Sequence, residues 1–221
     1  MQSVVVTIDE RRQKAIQICE VVENTIVTLQ SDRQTFSRFR DGATASEAVM
    51  RTHFPPTIAR WYSQSVLSGL RRLGDRDMRS HSLRQLFDGM LAHPGDWTFD
   101  ALLQLWDRTK HQYEPEMLEL LAHATYGWVA DASGRALNVS QVITDRARLD
   151  EILKSVRNLV NTTIAHADRK AVSPNAMTYN QLDETIYAVE DLAKRYIALL
   201  TGRGYSSEPG SMTPYEQTAV S

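Results

Sequence analysis

LDEILKSVRNLVNTTIAHAD, residues 149–168, decides how the chain folds. Leu149, Ile152, Leu153, Val156, Leu159, Val160 and Ile164 recur at intervals of three and four. That spacing lines apolar side chains along one stripe of an α-helix. It predicts a helix over 145–165 that runs out into a histidine and an aspartate, His166 and Asp168. Period-two alternation, the mark of a half-buried strand, is nearly absent from the chain, so the expected fold class is all-α, an up-and-down helical bundle.

Outward from this segment the same period continues. Upstream, a helix starting near Asp9 carries Ile16, Cys19, Val22, Ile26 and Leu29, with a break expected around Asp41-Gly42. A short helix over 44–52 ends at Pro55-Pro56, a pair that can also open the next helix. That helix carries Ile58, Trp61, Tyr62, Val66, Leu70 and Leu73, and Gly74 is expected to stop it in a left-handed conformation. Ser82 and Gln85 have capping-box spacing ahead of Leu83, Leu86, Phe87, Met90 and Leu91. Further helices are expected over about 99–110 and 115–130, then a loop over 131–144 with a brief extended piece. Beyond Pro174, Thr178 and Gln181 repeat the capping box before Leu182, Ile186, Val189, Leu192, Tyr196 and Leu200. Trp61, Tyr62, Trp97, Trp106, Tyr126 and Trp128 fall mostly on these stripes and read as core or interface residues. Residues 202–221 are rich in Gly, Ser and Pro and have no apolar face, so a disordered tail is expected there and one helical domain over 1–201.

Composition narrows the function classes. A 42% hydrophobic share supports a core, and a formal charge of −2 gives no whole-molecule pull towards nucleic acid or anionic membrane, so any basic site is local. Nothing at the N-terminus has the form of a secretory signal, and no run approaches the ~18 apolar residues of a membrane span. A cytoplasmic setting without membrane contact is the expectation. The lone cysteine, Cys19, allows no internal disulfide and no cysteine-rich zinc site, and reads as a buried small hydrophobe. HExxH, phosphate-loop and nucleophile-elbow patterns are all missing, so no metal and no cofactor is expected. Residues 71–84 hold five arginines and a histidine, a candidate phosphate-facing patch, tempered by Asp75 and Asp77 and by arginine being the chain's default cation, twenty against five lysines.

Asn161-Thr-Thr-Ile-Ala-His166-Ala-Asp168 resembles the R-N-x-x-I-A-H-x-D segment of the HEPN superfamily, most closely its abortive-infection U-like branch. A weaker likeness runs through Asp77, Ser80, Ser82, Leu83 and Leu86, in the pattern D-x-x-S-x-S-L-x-x-L. The resemblance implies a helical bundle with additional helices that pairs its motif helices across a homodimer. It also implies a bacterial phage-defence or toxin–antitoxin setting, with an antitoxin protein as a candidate partner. Active members are metal-independent ribonucleases using an arginine separated from the histidine by four to six intervening residues. A histidine titrating near neutrality can move the proton of a ribose 2′-hydroxyl while a guanidinium steadies the phosphorane.

The chain departs from that pattern where the arginine should stand. Leu159, Val160 and Asn161 occupy the three candidate positions, and the nearest upstream arginine is Arg157. On a continuous helix Arg157 lies about 180° around the axis from His166, at ~100° per residue. The candidate catalytic residues are therefore His166 and Asn161, with Asp168, Arg169 and Arg157 as candidate phosphate contacts. Three readings stay open: an RNA-directed dimer that cleaves RNA with a degenerate motif, a non-catalytic relative binding nucleotide, RNA or protein, and an unrelated helical scaffold.

Overall fold

A computed structural model describes residues 7–77, 79–109, 114–164 and 177–202, and for 107–109 and 161–164 it describes the backbone alone. The tail expected beyond 202 lies outside the described residues. Those described are helical or in turns, with one isolated antiparallel bridge, Ala130 to Leu137, as the brief extended piece. The all-α expectation holds.

The first helix, α1, spans Ile8–Thr44. Thr7 and Glu10 close a capping box at its start, each satisfying a backbone N–H of the other. It runs through the expected break at Asp41-Gly42. Ala43, 6% exposed, anchors the last turn in the core, and one glycine near a helix end costs only about 1 kcal/mol. The short α2 (Glu47–Met50) and then α3 (Phe54–Leu73) follow, with prolines in the first turn of α3. Gly74 ends α3 at φ −100°, not in the left-handed region. Its requirement for glycine is one of space instead, since a Cβ there would sit 2.5 Å from the Leu153 Cδ1.

Helix α4 (Leu83–Ala92) is capped by Ser82, whose oxygen accepts from the Gln85 N–H at 3.1 Å. Only that half of the expected box forms: the Gln85 amide donates instead to the Arg76 carbonyl at 3.0 Å. A single 3-10 turn, Pro94–Asp96, leads to α5 (Phe99–Thr109) and α6 (Pro115–Tyr126). Asn138 caps α7 (Val139–Ile152), α8 follows over Lys154–Ile164, and α9 covers Tyr179–Thr201 behind a complete Thr178–Gln181 capping box. The helix expected over 145–165 thus begins earlier and is interrupted at Leu153, where ψ is 0°.

Helix α1 packs against α3, α4 and α9, while α7 packs on α4 and α9. The core between them is built from the predicted stripes, including Cys19, Tyr62, Leu70, Phe87, Leu149, Val156, Ile186 and Tyr196. Cys19 is buried as expected, and burial pushes its thiol pKa up. Of the aromatics read as core or interface, Tyr62, Trp97, Trp106 and Tyr126 are buried, whereas Trp61 and Trp128 are exposed.

Three carboxylates make specific ties between helices. Gln30 of α1 donates its amide to the buried Glu190 of α9, which Lys194 also approaches at 3.3 Å. The Tyr62 hydroxyl of α3 donates to Asp183 of α9 at 2.5 Å. Tyr196 of α9 donates to the buried Asp145 of α7 at 2.7 Å, with Arg195 at 3.5 Å from the other oxygen. Burial, then its bond to Asp145, pushes the Tyr196 hydroxyl pKa up, so it donates throughout the physiological range. Tyr196→Phe should leave Asp145 short of its nearer donor and cost about 1–3 kcal/mol. Urea unfolding should show a lower midpoint with an unchanged slope, and a midpoint equal to wild type would contradict this role for the hydroxyl.

Candidate functional site

The motif segment hangs from α7 and α8, so its placement depends on what fixes that pair. Val156 and Val160, one turn apart on α8, are 0% and 2% exposed and join the core beside Leu153. Leu153 in turn lies against the bare Cα of Gly74, bringing the end of α3 onto the α7–α8 junction. Val156 and Val160 thus turn one stripe of α8 inward, while Leu159 stays half-buried. Asn161 sits one turn beyond Arg157 in the last turns of α8, and its side chain lies outside the described residues. His166, Asp168 and Arg169 lie outside the described residues altogether.

Position 160 matters most. The family pattern puts its arginine immediately before the asparagine, and Val160 occupies that place. It is a core residue, so the missing guanidinium could not be restored there without burying a charge against Leu153 and Val156.

Arg157, the nearest upstream alternative, is committed elsewhere. Its Nη1 donates to the Asp150 carboxylate at 3.0 Å, and its Nη2 donates to the Asp150 carbonyl. The side chain thus reaches back across the Leu153 break towards α7, away from the motif end of α8. Asp150 also receives Arg84 of α4 and, at 3.3 Å, Arg76 from the loop between α3 and α4. Arg84 extends the network to Asp88 at 3.0 Å, and Arg146 of α7 reaches the other Asp88 oxygen at 2.9 Å. Burial alone would raise the Asp150 carboxyl pKa; Arg157 and Arg84, with Arg76, outweigh it and hold the group below its ordinary value.

Asp150, Asp88 and Arg146 did not figure among the sequence candidates, while Arg76 and Arg84 did, as part of the 71–84 patch. Two signals were available: the i,i+4 spacing of Arg84 and Asp88, and Asp150 and Arg157 standing seven apart, close to two helical turns. What the sequence did not carry is the approach of α4 to α7, which brings the two pairs together.

Two other features could take part in recognition. Between α1 and α3 lies an open groove of about 310 Å³, lined by Asn24, Thr28, Ser65, Ser68 and Arg72. Elsewhere, Trp128, after α6, and Val139 and Ile143 of α7 are exposed. Among the described residues no three His, Cys, Asp or Glu side chains stand together as metal ligands, and no helix is long and apolar enough to cross a membrane.

A helical bundle carrying an Asn-x-x-Ile-Ala-His-x-Asp segment at the end of a core-packed helix defines a HEPN-type domain. The chain belongs to the AbiU2 family of HEPN domains, whose model matches residues 2–216. No curated protein and no solved structure matches it. The family makes this a HEPN protein of the abortive-infection type.

The Asp150 contacts predict a linked stability effect. A carboxyl whose folded pKa is depressed contributes stability above its unfolded value, about 3.9, and loses it as pH falls through the folded value. Asp150→Asn should cost about 2 kcal/mol at neutral pH through its weakened charged hydrogen bonds. The gap between variant and wild type should narrow below about pH 4. Paired denaturation curves at neutral and acid pH measure it; a pH-independent gap would mean that the arginines do not depend on the ionised carboxylate.

Proposed function

We propose that the protein is an RNA-directed, homodimeric HEPN protein of a phage-defence or toxin–antitoxin system, and that it lacks an arginine–histidine pair within one chain. One observation carries the second half: the arginine position of the family pattern is Val160 in the core, while Arg157 is bound to Asp150. Binding of RNA without cleavage by such a pair is the reading this geometry favours. Val139 and Ile143, exposed apolar side chains on α7, the helix next to the motif-bearing α8, would suit a protein partner, whether a second copy or an antitoxin. If RNA is cut, the chemistry falls to His166 acting on the 2′-hydroxyl. Asn161 and an arginine from the partner chain would then hold the phosphate.

Total RNA incubated with the purified protein in EDTA, beside a His166→Ala variant, tests this. Intact RNA with both proteins is the expected outcome. Cleavage by wild type that disappears in the variant would overturn the non-catalytic reading and establish a metal-free ribonuclease with its guanidinium supplied from elsewhere. Sedimentation of the same preparations checks the dimer.

A further inference from the structure

The arginine network carries more positive charge than its carboxylates absorb. Arg76, Arg84, Arg146 and Arg157 bond Asp88 and Asp150, Arg79 nearby is paired with Asp77, and Asp75 of the same loop is the remaining carboxylate. Arg71, in the last turn of α3, is a further exposed cation just ahead of this loop, while Arg72 lines the α1–α3 groove instead. Arg84, only 14% exposed, is shared between Asp88 and Asp150, so the surplus lies on the more exposed Arg76, Arg146 and Arg157. From these observations we infer that the face formed by the α3–α4 loop, α4 and the α7–α8 junction docks the phosphodiester backbone of a nucleic acid, which under the proposed function is RNA.

Three features favour a chain of phosphates over a single small anion. The cations come from separate elements, the α3–α4 loop, α4, α7 and α8, and so spread along a surface. Described residues of the loop that presents Arg76 and Arg79 are tied by hydrogen bonds. The Ser82 hydroxyl donates to the Asp75 carbonyl at 2.7 Å, Gln85 holds the Arg76 carbonyl, and Asp77 accepts from the Arg79 N–H at 2.9 Å. A backbone arriving there would pay little ordering entropy. Guanidinia also keep spare N–H donors after one carboxylate contact, and their planar fork suits phosphate oxygens. Arg76 and Arg79, 64% and 90% exposed, are the outermost of the set.

The surface rests on the RNA reading, and the test separates the two. Binding of a labelled single-stranded RNA to the full chain would be followed by fluorescence anisotropy across a salt series. The double variant Arg76→Ala/Arg79→Ala should bind about tenfold more weakly at low salt, whatever the RNA sequence. Its log-affinity against log-salt slope should be shallower by about 1.4, at ~0.7 per phosphate contact on a single strand. Asp77→Asn, which keeps an oxygen for the turn but releases Arg79, should bind more tightly than wild type. Arg38→Ala, on α1 at the far end of α3, should match wild type. If wild type binds and all the variants bind alike, this surface is wrong and the RNA reading stands. If wild type does not bind RNA even at low salt, both fall. Displacement by inorganic phosphate at concentrations matching the RNA's phosphates would point to a single-anion site and overturn docking of the backbone.

Discussion

Burying Glu190 between the two longest helices is the constraint from which the rest of the arrangement follows. A carboxylate with 1% exposure is tolerable only where partners meet it: Gln30 of α1 donates to one oxygen, and the other, which accepts no hydrogen bond among the described residues, has the Lys194 ammonium of α9 at 3.3 Å. Arg33 in turn donates to the Gln30 carbonyl oxygen at 2.8 Å, which orients the amide. The apolar stripes of α1 and α9 could slide past one another by a helical turn with little change in buried area. The polar contact cannot, so it sets the register. Once α1 and α9 are set, the Tyr62–Asp183 and Tyr196–Asp145 bonds place α3 and α7 on the same frame.

The frame explains why the catalytic half of the family pattern is hard to recover in this chain. With α7 fixed through Asp145 and α3 through Asp183, the α7–α8 junction is held against Gly74, and α8 must turn Val156 and Val160 inwards. An arginine at position 160 would compete with the core that orients the motif helix. The Asp150 network then takes up the neighbouring guanidinium of Arg157. Position and charge partner act together to separate fold from chemistry.

Most of the fold was legible because local rules decide it. Apolar periods of three and four found the long helices, and the Thr178–Gln181 box marked the start of α9 to the residue. The failures are tertiary. Gly42 reads as a stop, yet α1 runs past it to Thr44 with Ala43 buried; Gly74 reads as a left-handed cap, yet its place is against Leu153. The interruption at Leu153 has no signature in the sequence, since Leu, Lys and Ser are all compatible with a continuous helix. For the site, the family segment was readable from eight residues, and the clamp on Arg157 was not, because Asp150 gains its partners from a loop and a helix more than sixty residues upstream.

The interruption at Leu153 also bears on how much sequence change this region can absorb. Within α8, inserting or deleting one residue would turn everything downstream by ~100° and shift it by ~1.5 Å, swinging Val160 out of the core. At the junction the backbone already leaves helical geometry, and a change of length there can be taken up in the turn. Lineages of this domain could therefore re-phase the motif end against the bundle through single-residue insertions at one point. The core would stay as it is while the face shown to a partner changed.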